Sequence, residues 1–182
     1  PKPEVHNIII ELNWRYGLNE DLTKFFGDFK YDKFLKSVFK RWKGMRINCA
    51  NSLYELLIIS IVLQNATVRR TLQMMNNILD KYGKKLKFNN KILSVFWSPE
   101  ELNAVTENEL RALKVGYRDK MIKRISDSFA NGEVNEFKIR EMPFEEARNE
   151  LIKLHGVGPA TAQIISGEYL RQYNIFDLKG RV

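Results

Sequence analysis

"LHGVGPATAQ", residues 154–163, is a Gly-x-Gly turn between two segments that favour helix. The segment before it, 143–156, opens with a proline and closes at Gly156, and the segment after it, 160–173, also has a helical pattern. Pro159 suits the first turn of a helix, where a missing N–H costs nothing. The stretch therefore predicts two helices joined by a tight hairpin turn.

The predicted hairpin is suited to binding an anion. A helix N-terminus presents N–H groups that have no acceptor within the helix, which makes it a ready site for phosphate. Gly158 has no side chain that would hold a ligand away from the backbone. We expect the amides of Gly156, Val157 and Gly158 to contact a nucleic-acid phosphate without reading base sequence. The alternative is an ordinary tight turn between packed helices.

Helical patterns dominate the first third of the chain. Aromatic residues three and four apart at 21–29 and 31–42 follow the period of one helix face. Residues 51–64 are apolar nearly all round, which is typical of a buried central helix, and either Asn51 or Ser52 can cap its start.

The remainder of the chain is also interpreted as helical. Capping boxes at Ser98 and Thr106 start two helices, and 117–132 forms an amphipathic helix with basic residues opposite its apolar stripe. Strand signals are scarce, and residues 84–97 are interpreted as a connection. The sequence predicts an all-α protein of roughly nine or ten short helices.

Composition favours a nucleic-acid partner. The chain of 182 residues carries a formal net charge of +8, has a pI of about 9.5 and is 44% hydrophobic. Such an excess of positive charge attracts polyanions, so we expect nucleic acid rather than a membrane as the partner; a merely basic protein is the alternative. No apolar run reaches the roughly 18 residues that span a bilayer.

Cysteine usage limits both compartment and cofactor. The one cysteine, Cys49, allows no internal disulfide, which favours a reducing, intracellular location in the cytoplasm, nucleoid or nucleus. One cysteine also cannot provide a four-cysteine zinc site or an iron–sulfur cluster. We expect a monomer that requires no cofactor.

The hairpin resembles that of the helix-hairpin-helix DNA glycosylase superfamily, which includes endonuclease III and the 8-oxoguanine DNA glycosylases. In that superfamily an LPGVGxKTA-like hairpin is followed, one helix later, by a catalytic Asp. Here LHGVGPATA, residues 154–162, is followed by YNIFDLKGRV, and Asp177 matches that position. The resemblance implies a two-lobed helical fold and a DNA glycosylase of base excision repair. Asp177 can instead be read as the N-cap of a following helix.

The resemblance also defines the expected extent of the fold. It covers roughly residues 20–182, and it implies a single glycosylase-like unit over 1–182, with an N-terminal segment at 1–19 and a helical core at 20–182. Because the superfamily continues with at least one more helix, it implies a chain that is truncated after Asp177.

Two further stretches resemble the 8-oxoguanine branch. In LKVGYRDKMI, Tyr117 and Arg118 match a tyrosine that wedges into the duplex and an arginine that contacts the base left opposite. In LQNATVRR, Asn65 matches a residue that fills the gap left by the flipped nucleotide, and Arg70 matches a reader of the opposite base. Gln64 is a second candidate wedge. The structural alternatives are a helix start at Tyr117 and solvated surface charges at both arginines.

The resemblance adds a cation and basic contacts. It implies a monovalent cation, Na⁺ or K⁺, bridging the hairpin carbonyls and the DNA phosphate; by position these are the carbonyls of Ile152, Leu154 and Val157. Lys120, on the basic side of the amphipathic helix, is expected to add salt-dependent affinity for DNA.

One departure bears on the chemistry. Bifunctional members carry a Schiff-base lysine in the hairpin, where this chain has Ala160. The resemblance therefore implies a monofunctional enzyme that flips out a damaged base, an oxidised or alkylated purine, and cleaves its N-glycosidic bond with water assisted by Asp177. Two alternatives remain: a non-catalytic helix-hairpin-helix DNA-binding module, and a bifunctional glycosylase/AP lyase that uses another lysine, Lys153 or Lys179.

Overall fold

The computed structural model describes residues 3–49 and 51–173. The described helices are α1 (Pro3–Tyr16), α2 (Thr23–Asp28), α3 (Leu35–Trp42), α4 (Leu53–Leu63), α5 (Val68–Tyr82), α6 (Pro99–Asn103), α7 (Glu107–Ala112), α8 (Arg118–Ala130), α9 (Glu136–Arg140), α10 (Phe144–Lys153) and α11 (Pro159–Glu168). Two strands, β1 (Lys84–Phe88) and β2 (Lys91–Val95), pair with each other. The predicted helical class is confirmed, and the two short strands are an addition to it.

The chain forms two compact units, Pro1–Ala50 and Asn51–Val182. In the first unit, the rings of Phe26 and Phe39 meet edge to face at 4.8 Å between centroids, which packs α2 against α3. The predicted organisation as one glycosylase-like unit stays a prediction.

Helix α4 forms the core of the second unit, as the sequence predicts. Leu53, Leu57, Ile58 and Ile61 are fully buried, and the helix contacts α5, α8 and α11. Although α4 is the most apolar helix, none of the described helices is both long and apolar enough to cross a bilayer.

The start of α4 is held by polar groups. Of the two caps that the sequence allows, Ser52 is the one used: its hydroxyl accepts from the Glu55 amide, and the Glu55 carboxylate accepts from the Ser52 amide at 2.8 Å. The Glu136 carboxylate accepts from the Leu53 amide at 2.9 Å and from the Tyr169 hydroxyl at 2.8 Å. Burial, reinforced by Glu136, raises the pKa of Tyr169.

A buried polar chain ties α4 to α8. The Trp97 indole donates to the Tyr54 hydroxyl at 3.0 Å, and the Tyr54 hydroxyl lies 2.8 Å from the Ser126 hydroxyl. Ser126 in turn donates to the Ile122 carbonyl at 2.8 Å. Burial raises the pKa of Tyr54 to about 12, so the phenol stays neutral at physiological pH.

Both capping boxes predicted from the sequence are present. The Glu101 carboxylate accepts from the Ser98 amide at 2.7 Å at the start of α6, and the Glu109 carboxylate accepts from the Thr106 amide at 2.9 Å at the start of α7. These local signals are reliable because each pair satisfies two otherwise unpaired amides within four residues.

The interpretation of 84–97 as a plain connection was wrong for 84–95, which form a β-hairpin. β1 pairs antiparallel with β2, with Leu86 opposite Leu93. Asn89 and Asn90 make the two-residue turn with φ values of 44° and 62°. Asparagine tolerates this left-handed region, so a two-residue hairpin turn forms without glycine.

Candidate nucleic-acid interface

The quoted stretch forms the predicted hairpin. Helix α10 ends at Lys153, α11 begins at Pro159, and the Val157 amide closes the turn by donating to the Leu154 carbonyl at 3.1 Å. Because the Val157 N–H is used inside the turn, it is not available to a phosphate in this conformation. Its predicted DNA contact stays a prediction.

The two glycines of the turn serve different purposes. Gly156 has φ +88°, a region that favours glycine, and a Cβ atom there would lie 2.8 Å from the Met121 sulfur. Gly158 has φ −91° and ψ 173°, which any residue adopts, and a Cβ atom there would meet nothing within 4 Å. Gly156 is therefore required by the fold, whereas Gly158 leaves space beside the backbone for a ligand.

The start of α11 is open to an anion. Gly158 is its N-cap, Pro159 its first residue, and no side chain in the described part of the chain caps it. The amides of Ala160 and Thr161 follow in the first turn, where the helix dipole favours negative charge. The start of α11 thus offers the amides of Gly158, Ala160 and Thr161 to an anion, of which Gly158 alone belongs to the predicted set, and its DNA contact stays a prediction.

Two other segments lie at the hairpin. The side-chain amide of Gln64 donates to the Gly156 carbonyl at 2.8 Å, which joins the end of α4 to the turn. The next residue, Asn65, has φ 49° and its side-chain amide lies 3.4 Å from the Tyr117 hydroxyl. Tyr117 is 53% exposed. The structure thus brings the adjacent residues Gln64 and Asn65 and the distant Tyr117, all predicted to contact DNA, to the hairpin end of α4 and α8.

Arg118 occupies a structural position. It is only 6% exposed, and its guanidinium donates to the carbonyls of Ile61 (3.1 Å) and Gln64 at the end of α4. The same group packs over the Tyr117 ring at 4.7 Å. In this conformation the Arg118 guanidinium is buried and bonded within the protein. Its predicted role as reader of the opposite base stays a prediction.

Arg70 is likewise engaged. Its guanidinium donates to the Lys114 carbonyl and, at 2.7 Å, to the Gln73 side chain. Lys114 and Gly116 have φ values of 60° and 66°, so the turn before α8 has two left-handed residues, and Arg70 bonds to the carbonyl of the first. Its predicted base contact also stays a prediction.

The basic side of α8 continues the surface. Lys120 and Arg124 are exposed, and with Tyr117 they follow the helical period along one face. The Arg124 guanidinium lies 3.2 Å from Nδ1 of His155, in the hairpin. Because a guanidinium only donates, the imidazole nitrogen accepts. We define the hairpin surface as Tyr117, Lys120, Arg124, Asn65 and the turn 155–161.

The sequence did not indicate two of the supporting contacts. Met121 lies in the segment predicted to be an amphipathic helix, but the sequence does not show that its side chain packs under Gly156. The bond from Gln64 to Gly156 joins residues far apart in sequence, and a single sequence carries no signal for such a pair.

The remaining candidates divide between described and undescribed residues. Asp177 and Lys179 lie outside the described residues. Lys153, the other candidate lyase lysine, is 68% exposed and pairs with Glu150 at 2.5 Å. Ala160 is exposed in the first turn of α11.

The carbonyls proposed to bind a cation fit that role chemically. Ile152 lies in the last turn of α10, where carbonyls lack intrahelical donors, and Leu154 and Val157 flank the turn. Three neutral oxygen donors suit Na⁺ or K⁺, although the Leu154 carbonyl already accepts one hydrogen bond.

Comparison with known proteins supports the same family. No family model matches the chain. It is 27% identical over 157 residues to a DNA-3-methyladenine glycosylase of Bacillus subtilis, covering 86% of this chain and 52% of that protein. It is 29% identical over 174 residues to a probable N-glycosylase/DNA lyase of Methanothermobacter thermautotrophicus, covering 85% and 55%. The chain thus spans about half the length of these curated relatives.

The solved structures that are similar to the chain are also DNA glycosylases. The 8-oxoguanine glycosylase/lyase of Clostridium acetobutylicum in its apo form superposes with a TM-score of 0.77 at 28% identity, over 96% of this chain and 60% of that one. Its complex with double-stranded DNA that has cytosine opposite 8-oxoG gives 0.73 at 29% identity, over 91% and 57%. The hairpin, the fold and these relatives together make the chain similar to the helix-hairpin-helix DNA glycosylases.

Proposed function

We propose that the protein is a DNA glycosylase that extrudes a damaged base from the duplex and cleaves its N-glycosidic bond. A base inside the duplex is out of reach of an active site, so such an enzyme must bind the backbone beside the lesion and fill the gap that the base leaves. The hairpin surface has parts suited to both tasks.

The observation that carries the proposal is the convergence of three segments. An open helix N-terminus at Gly158 suits a phosphate, and Asn65 and Tyr117, two residues suited to entering the gap, lie beside each other near it. Exposed Lys120 and Arg124 add positive charge to the same surface. A plain turn between packed helices would not require this combination.

The proposed reaction uses Asp177 and water. Glycosidic cleavage passes through an oxocarbenium-like state, which a nearby carboxylate stabilises while it orients or deprotonates the attacking water. Because Ala160 offers no amine, we propose hydrolysis without strand cleavage. A Na⁺ or K⁺ held by the carbonyls of Ile152, Leu154 and Val157 would strengthen binding of the DNA phosphate.

The proposed substrate is an oxidised or alkylated purine. The relatives named above are a DNA-3-methyladenine glycosylase and an 8-oxoguanine glycosylase/lyase, which together span both lesion types. The predicted reading of the opposite base depends on Arg70 and Arg118, and both donate to backbone carbonyls in this structure. The opposite-base reading therefore gains no support here.

A panel of labelled single-lesion duplexes tests the function. We expect base release, seen as strand breaks only after alkali, from 8-oxoguanine or 3-methyladenine duplexes, and its loss in Asp177→Asn with duplex affinity kept. Breaks without alkali would establish a lyase, and their loss in either Lys153→Ala or Lys179→Ala would identify the lysine that it uses. If the full-length protein binds duplex but releases no base from any lesion, it is a non-catalytic binding module.

A further inference from the structure

We infer that Gln64 is a positioning residue that locks the hairpin turn for phosphate binding, rather than a wedge that enters the duplex. This inference rests on the proposed binding of a DNA phosphate at the hairpin, and it assigns Gln64 a task different from that of its neighbour Asn65.

The Gln64 side chain fixes one end of a single peptide unit. The side-chain amide of Gln64 donates to the Gly156 carbonyl at 2.8 Å. The other end of that unit is the Val157 N–H, which donates to the Leu154 carbonyl at 3.1 Å. Because a peptide unit is planar, two bonds at opposite ends restrain its orientation.

This peptide unit needs such a restraint. Gly156 has φ +88°, and a glycine populates left- and right-handed regions about equally, so the unit can rotate readily. A rotation would redirect the chain into Gly158 and the start of α11. The Gln64 bond therefore lowers the conformational entropy that phosphate binding would otherwise have to remove.

Gln64 is itself held firmly enough to act as an anchor. The backbone N–H of Gln64 donates to the Ile61 carbonyl at 3.2 Å, and the backbone carbonyl of Gln64 accepts from the buried guanidinium of Arg118. The backbone of Gln64 is thus fixed to α4 and α8 before its side chain reaches the turn.

The same geometry separates the tasks of neighbouring residues. A Gln64 side chain bonded to Gly156 must break that bond before it can enter a gap in the duplex. Asn65 is directed to the exposed Tyr117 instead, at 3.4 Å. Gln64 thus bonds to the hairpin, and Asn65, the next residue, is the one that can enter the duplex.

A double-mutant cycle between Gln64→Met and Gly158→Val tests the inference. Methionine keeps the length of glutamine but removes the donor, and valine at Gly158 occupies the space left for the phosphate. Binding is measured by fluorescence anisotropy on an undamaged duplex, where no base is extruded. We expect Gln64→Met to weaken binding by about three- to tenfold, the range for one hydrogen bond, and to add little further loss when Gly158→Val is present.

Gln172→Met is the matched control. Its side-chain amide also donates to a backbone carbonyl, that of Met142 at 3.1 Å. We expect this control to lose about as much stability as Gln64→Met but to keep its DNA affinity. That difference separates positioning of the hairpin from general destabilisation.

The outcomes separate failure of the positioning role of Gln64 from failure of the proposed phosphate binding at the hairpin. Losses that simply add, or a Gln64→Met variant that slows base release while binding undamaged duplex normally, would overturn the positioning role and favour a wedge. If Gly158→Val itself leaves binding unchanged, the hairpin is not the phosphate site, and the proposed binding mode fails together with the inference.

Discussion

The Met121 sulfur lies 2.8 Å from the position that a Cβ atom on Gly156 would occupy. Helix α8 therefore packs directly under the hairpin turn, and the absence of a side chain at Gly156 permits that approach. The glycine also has φ +88°, so two independent constraints act on one residue.

Gly156→Ala is expected to destabilise the protein. The added methyl group meets Met121, and a non-glycine residue in this backbone region costs about 1–3 kcal/mol. Urea unfolding should show a lower midpoint with an unchanged slope. Gly158→Ala is the control: because its backbone is extended and the space is open, we expect a change within about 0.5 kcal/mol. Equal losses at the two glycines would contradict the distinction.

Gly158→Val is expected to weaken duplex binding while the fold is kept. The valine side chain would stand where the backbone is otherwise open to a phosphate. Losing one charge-assisted contact of about 1.5–3 kcal/mol corresponds to roughly a ten- to hundredfold weaker Kd. Gly167→Val, at a glycine inside α11 where a Cβ atom also meets nothing within 4 Å, should bind like the wild type. Unchanged binding by Gly158→Val would rule out phosphate contact at this end of α11.

Arg118→Met is expected to lower the free energy of unfolding by about 2–4 kcal/mol, because buried carbonyls lose their donor. These include the Ile61 and Gln64 carbonyls at the end of α4. Arg124→Met, an exposed position on the same helix, should change stability little. Chemical denaturation measures both. If Arg118→Met unfolds like the wild type while losing discrimination between opposite bases, Arg118 reads DNA rather than supporting α4.

The sequence predicted local structure better than it predicted contacts. The hairpin, the buried α4 and the capping boxes at Ser98 and Thr106 follow from residues within a few positions of one another, so pattern and capping rules apply. The β-hairpin at 84–95 was missed because its turn uses Asn89 and Asn90 without glycine.

The sequence singled out candidate site residues, but it did not show the contacts that they make within the protein, and their roles at DNA stay predictions. Tyr117, Asn65 and the hairpin were singled out from motifs, and they do lie on one surface. Arg118 and Gln64 were expected to face DNA, yet both donate to backbone carbonyls. Such contacts within the protein depend on which carbonyls the folded chain leaves unpaired nearby, and a sequence does not show them.

Tyr117→Ala is expected to slow base release more than Tyr117→Phe. The exposed ring is the part suited to stacking in the duplex, and base–aromatic stacking contributes about 1–3 kcal/mol. Phenylalanine keeps the ring and loses only the long 3.4 Å contact with Asn65, so we expect a rate near that of the wild type. Single-turnover release from the best lesion duplex measures both. Equal losses in the two variants would show that the hydroxyl, not the ring, matters.

Lys120→Ala and Arg124→Ala are each expected to reduce the salt dependence of duplex binding. A cation that contacts a phosphate releases a counterion, so its removal should lower the slope of log K against log salt concentration by about 1. Both residues are exposed on the hairpin side of α8, and Arg124 contacts His155 of the turn at 3.2 Å. Lys87→Ala, an exposed lysine on β1, removes the same charge outside the hairpin surface and should leave the slope unchanged. If all three variants lower the slope equally, binding responds to overall net charge, and the hairpin surface is not where DNA binds.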